Sequence, residues 1–72
     1  MSVRNIGSNQ TEVETKKGRI LVSYSTPVAA WINGRAYRTD KKWSKTTSKH
    51  INAWLADAKA EEKPQSFFDN LL

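Results

Sequence analysis

The sequence predicts a small α+β domain: an antiparallel sheet of three to five strands, a meander with an Asn-Gly hairpin, packed by one C-terminal α-helix. Three observations lead there. Arg19–Ser25, RILVSYS, alternates so that Ile20, Val22 and Tyr24 point one way and Leu21, Ser23 and Ser25 the other, the period of a strand. Asn33-Gly34 separates two further short runs, and this pair suits a type I′ hairpin turn, which needs positive φ at both central residues. Ile51, Trp54, Leu55 and Ala58 then recur at i, i+3, i+4 and i+7, the apolar stripe of an amphipathic helix.

Taken in order, residues 1–18 are polar and form either edge strands or a disordered arm. Val3–Ile6 reads as a short strand, Gly7-Ser8-Asn9 as a turn, and Gln10–Thr15 as an edge strand with Val13 inward and Glu12 and Glu14 solvated. Lys16-Lys17-Gly18 reads as the next turn. Residues 19–60 form the core unit. The strand from Arg19 is interrupted at Thr26-Pro27, because proline donates nothing to a ladder. The hairpin Val28–Thr39 follows, and its Asn-Gly turn fixes a register: Ile32 opposite Arg35, Trp31 opposite Ala36, Ala30 opposite Tyr37, Ala29 opposite Arg38, Val28 opposite Thr39. One face then carries Val28, Ala30, Ile32 and Tyr37, with more aliphatic area, and is the expected core. The other carries Ala29, Trp31, Ala36 and Arg38, whose alanines make it the alternative helix platform. After a connection at Asp40–Trp43, Ser44 is the expected N-cap of a helix over 45–60, with Trp54 as core anchor. Residues 61–72 read as a linker followed, beyond Pro64, by an apolar tail, QSFFDNLL.

A chain of 72 residues is one domain at most and buries only about 60% of its unfolded surface. The absence of cysteine excludes disulfides and thiolate metal sites and fits a reducing compartment. One histidine and no acidic cluster argue against a metal site. No Gly-rich phosphate loop, useful carboxylate pair or cysteine nucleophile is present, so no enzyme and no cofactor are expected. His50 lies among hydroxyls, but nothing visible orients it as a general base. No apolar run reaches the ~18 residues of a membrane span, and MSVRNIGSNQ lacks a signal-peptide core. A soluble cytoplasmic protein is expected, in the host cytoplasm if it is phage-encoded.

The informative stretch is Arg35–His50, RAYRTDKKWSKTTSKH. It holds six of the twelve Lys and Arg residues and one acid, Asp40, so it accounts for the whole net charge of +5. Outside it, basic and acidic residues balance. Phosphates are held by Arg and Lys, by Ser and Thr hydroxyls and by helix N-termini, and all three coincide here. Arg35, Arg38, Lys41, Lys42, Lys45 and Lys49 are the candidate phosphate contacts, with Ser44, Thr46 and Thr47 as hydrogen-bond partners. Tyr37 and Trp43 are candidate stacking residues, which favours single-stranded nucleic acid. The competing reading is a solvated basic helix face with Trp43 packed over the sheet edge.

The segment from Ile20 to Leu55 resembles a small uncharacterised domain of phage and archaeal virus proteins. The matching features are SYSTPVAA (23–30), Tyr37-Arg38-Thr39, WSKTTSKH (43–50) and Ile51-Asn52-Ala53-Trp54-Leu55. It covers about half the chain, without the N-terminal arm and the tail. The resemblance implies a viral or mobile-element setting and no particular activity.

The leading expectation is a small basic nucleic-acid-binding protein of phage origin. The alternative is a phage accessory protein that binds and inhibits a host or defence protein through Trp31 and the tail residues Phe67, Phe68, Leu71 and Leu72. For Trp31 and for the tail, packing into the small core is the competing reading. A homodimer joined through exposed strand edges is a third.

Overall fold

The computed structural model describes residues 2–56 and 58–72. Its elements are β1 (Ser2–Gly7), β2 (Gln10–Thr15), β3 (Gly18–Ser23), β4 (Thr26–Ile32), β5 (Arg35–Thr39), α1 (Lys45–Leu55), β6 (Glu61–Lys63) and α2 (Gln65–Asp69). The strands form one six-stranded sheet in sequence order. The first five make an antiparallel meander, and β6 returns parallel to β5 after α1. The α+β class is as expected. The sheet has six strands where three to five were expected, and two helices where one was.

Four of the five hairpin pairs are observed: Ile32–Arg35, Trp31–Ala36, Ala30–Tyr37 and Ala29–Arg38. Asn33 (φ 52°) and Gly34 (φ 77°) supply the two positive φ angles of the turn. The fifth pair fails for a local reason. β3 pairs Leu21 with Ala29 but Val22 with Pro27, so Val28 is the extra residue of a bulge. The bulge also moves the turn. Thr26-Pro27 lies within β4, and the chain reverses at Tyr24-Ser25, between the paired Ser23 and Thr26.

Both faces of the sheet are covered. α1 lies on the face expected to be secondary, where Ile51 and Leu55 pack with Leu21, Val28, Ala29 and Ala36. The bulge turns Val28 onto this face beside Ala29. On the face expected to hold the core, Phe68 of α2 packs with Ile20 and Ala30, and Val22, Ile32, Tyr37, Phe67 and Leu71 surround them. Ala29 and Ala30 lie at the two centres, and their short side chains admit a helix on either side. Gly18 is required by a different close approach: a Cβ there would lie 2.1 Å from the Trp31 carbonyl oxygen.

The remaining expectations divide. β1 and β2 form from the polar N-terminal segment, with Val13 buried and Glu14 exposed. Glu12 is not simply solvated: it is partly buried, receives the Trp54 indole N–H at 3.0 Å and pairs with Arg4 at 3.0 Å. Trp54 is thus partly buried at the margin of the α1 core rather than its centre. α1 ends earlier than the expected 60, because Ala56 takes a left-handed C-cap (φ 52°) and sends its N–H to the Ala53 carbonyl. Asp57 lies outside the described residues. The expected linker holds β6, whose register on β5 is Tyr37–Glu61, Arg38–Glu62 and Thr39–Lys63.

Candidate nucleic-acid interface

The site is built where β5 hands over to α1. Ser44 is the N-cap: it has extended backbone (φ −109°, ψ 167°), and its Oγ accepts the Thr47 N–H at 3.1 Å. The first turn of α1 contains no acid. Capping points Thr47 inward, where it is buried, while Lys45, Thr46 and Lys49 remain on the solvent side. Lys45 and Lys49 are one turn apart and share a face.

The connection before the helix is pinned by Gln65. Its Nε2 donates to the Pro27 carbonyl at 2.7 Å, and its Oε1 accepts from Thr39 Oγ1 at 2.8 Å and from the Trp43 indole N–H at 3.2 Å. Thr39 Oγ1 in turn accepts the Lys41 backbone N–H at 3.2 Å. Trp43 is therefore fixed at its nitrogen while its ring stays 41% exposed. Lys41 Nζ stands over that ring, 4.2 Å from its centroid.

These elements enclose an open groove of about 610 Å³. Arg38, Lys41, Lys42, Lys45 and Lys49 line it together with Trp43, Ser44 and Thr47; Asp40 and Glu62 contribute the acids. Among the described residues the ion pairs are Arg4–Glu12 and Lys63–Glu61, so none of the five groove cations is ion-paired. Arg38 is oriented by Asn52 of α1, to whose Oδ1 it donates at 3.1 Å. Five cations against two acids leave the groove with excess positive charge, which raises the local potential and attracts anions.

Three candidates fall elsewhere. Arg35 is exposed at the start of β5 beside Gly34, away from the groove. Tyr37 lies on the α2 face, its ring 5.4 Å from that of Phe67, and stacks within the protein rather than on a ligand. Thr46 is exposed on α1 without lining the groove. Strand alternation explains Tyr37, since its neighbours Ala36 and Arg38 take the opposite face.

The residues of the alternative partner surface are mostly packed. Phe68 is 0% exposed, Phe67 and Leu71 pack beside it, and Trp31 lies against the α1 core; Leu72 is exposed. His50 receives a structural explanation. Its Nδ1 is 2.9 Å from Ser23 Oγ, which also meets Thr47 Oγ1 at 3.2 Å. Ser23 is only 2% exposed, so this Ser–His contact offers no accessible nucleophile. No group of three or more His, Cys, Asp or Glu suited to a metal occurs among the described residues. No helix among them is long and apolar enough to cross a membrane.

One exposed aromatic was not singled out from the sequence. Tyr24 reads there as sharing a strand face with Ile20 and Val22, but it occupies the β3–β4 turn with φ 59° and is 55% exposed. Nothing in the alternation marks it, because the turn is set by the bulge at Val28. No curated protein and no solved structure matches the chain. A family model does, over residues 1–70, which takes in every strand, both helices and all the groove residues. The chain belongs to that family, DUF8033, a family of unknown function.

Proposed function

We propose that this chain is a non-enzymatic nucleic-acid-binding protein that holds phosphates along the groove between the β5–α1 connection and the outer side of α1. One observation carries the reading: Arg38, Lys41, Lys42, Lys45 and Lys49 line a single groove and none is ion-paired with a described carboxylate. A merely solvated basic face spreads its charge; here five cations converge beside the hydroxyl of Ser44 and an exposed indole. Lys and Arg supply the sequence-independent affinity of nucleic-acid binding through counterion release. Asp40 and Glu62 also line the groove and offset part of its positive charge, leaving the five cations in excess.

The test is fluorescence anisotropy with labelled single- and double-stranded oligonucleotides over a range of salt concentrations. The wild type is expected to show a log–log salt slope of several units. The Lys42→Glu/Lys45→Glu double variant is expected to bind at least about tenfold more weakly at low salt, with the slope reduced by about 1 to 2. Both lysines are exposed, so the variant keeps its fold, checked by circular dichroism. Wild-type binding that is absent at low salt, or unchanged in the folded double variant, overturns the proposal.

A further inference from the structure

Tyr24 is the least economical residue in the fold. Its φ of 59° lies in the left-handed region, which residues other than Gly, Asn and Asp seldom occupy. At the other hairpin turns the chain uses suitable residues, Asn9, Asn33 and Gly34, and the remaining non-Gly exception, Ala56, is small and closes a helix. Tyr24 is held in place from outside, because its backbone N–H donates to the Asn9 carbonyl at 2.7 Å, tying the β3–β4 turn to the β1–β2 turn. Its side chain gains little burial in return, being 55% exposed. Its nearest aromatic neighbour is His50, with ring centroids 6.2 Å apart and planes tilted by 36°. Strain that persists without packing to compensate it is a feature of binding and catalytic positions.

What Tyr24 faces supplies the missing return. It lines a cavity of about 330 Å³, with Trp43 also on its wall and Thr26 and Ser44 among the other lining residues. Lys42, Trp43, Ser44 and Thr47 line both this cavity and the basic groove, so the two adjoin. Trp43 is held by Gln65 and carries Lys41 over its ring, which fixes the indole before any ligand arrives. A pair of exposed aromatics beside a phosphate track is the arrangement that proteins use to stack the bases of an unpaired strand.

We propose that Tyr24 and Trp43 wall a slot that takes one unpaired nucleobase from a strand whose phosphates lie along the adjacent groove. The proposal rests on the nucleic-acid reading above and adds to it a preference for single strands and a residue, Tyr24, that the basic stretch does not contain. Thr26 shares the cavity wall, the Ser44 hydroxyl is taken up by its cap to Thr47, and the Tyr37 ring, on the opposite face of the sheet, takes no part.

The experiment uses the Tyr24→Asn variant of the full chain, an oligo-dT of about a dozen nucleotides and a duplex of matching length. Asparagine tolerates the left-handed conformation and lacks the ring. The expected result is a Tm equal to or above that of the wild type, a Kd for oligo-dT raised about 5- to 100-fold, and an unchanged Kd for the duplex. Tyr24→Phe, which keeps the ring, is expected to bind oligo-dT as the wild type does. A variant that unfolds or loses several degrees of Tm makes Tyr24 a structural residue and overturns the slot. So does a folded variant that loses nothing, or that loses equally on duplex and single strand. A wild type that binds neither probe overturns the nucleic-acid reading itself, so the two failures are told apart.

Discussion

α1 closes one face of the sheet and α2 the other, and the two closures are built on different principles. α1 has eleven residues, a side-chain N-cap at Ser44 and a left-handed C-cap at Ala56, and only Thr47, Ile51 and Leu55 are buried. Most of its surface is released to solvent, and that surface carries the lysines. α2 has five residues and no side-chain cap, and it gives Phe68 wholly to the core. A helix of that length does not persist alone. Phe68 meets Phe67 edge-on at 5.1 Å, Phe67 reaches Tyr37 at 5.4 Å, and Gln65 ties the start of the helix to β4 and to the β5–α1 connection. α2 therefore commits Phe68 wholly to packing, while α1 divides its residues between packing and an open face.

The largest expected effect tests that division directly. Phe68→Ala removes the largest fully buried side chain and should cost about 3–5 kcal/mol. For a domain of this size that approaches the lower end of ordinary total stability, about 5 kcal/mol. Urea denaturation should find the variant largely unfolded or close to it. Ile51→Val, which trims the α1 face by one methylene, should cost about 0.5–1.5 kcal/mol. A Phe68→Ala variant less affected than Ile51→Val would mean that α2 is an accessory and that α1 alone holds the core.

A middle effect is expected where the two closures meet. Gln65→Ala deletes the partner of the Pro27 carbonyl, of Thr39 Oγ1 and of the Trp43 indole N–H. Pro27 and Thr39 are buried, and stranding buried polar groups costs about 1–3 kcal/mol. The same change frees the Trp43 ring. Thermal unfolding should therefore shift downward, and oligo-dT affinity should fall in the variant while it is still folded. A shift in Tm with no change in affinity would separate the α2 face from the groove.

The difference between the closures also decides what could be read from the sequence. α1 is legible because Ile51 and Leu55 repeat at helical spacing and Ser44 is a capping residue. α2 is not, because five residues span too little of the helical period and Pro64 looks like an end rather than a beginning. β6 is equally hidden: Glu61-Glu62-Lys63 has no alternation, and its place is set by backbone pairing with β5. The basic groove is legible because its cations are contiguous in the chain. Tyr37 is assigned to it by proximity in sequence, although the hairpin register already sets that residue on the Ala30 face. Tyr24 stays invisible because its exposure follows from a bulge four residues later.

The smallest expected effect concerns the edge strand between the two closures. Lys63 Nζ pairs with Glu61 at 2.8 Å. The hydrogen bond from Lys63, and then its charge, hold the Glu61 carboxyl below the ordinary carboxylate value, against the opposing pull of desolvation. The Lys63 ammonium is correspondingly raised by Glu61. A depressed carboxyl stabilises the fold above its unfolded pKa and loses that contribution as pH falls through the folded value; the raised lysine stabilises below its unfolded pKa and loses its contribution as pH climbs past the folded one. The pair therefore helps across the neutral range and fails at both extremes. Both groups are exposed to water, and such pairs contribute little. Thermal unfolding of wild type and Glu61→Gln should differ barely at neutral pH and coincide once the carboxyl is protonated in acid. A gap of several degrees at neutral pH would instead make β6 a structural tie between α1 and α2, and the contrast between the two faces would have to be redrawn around it.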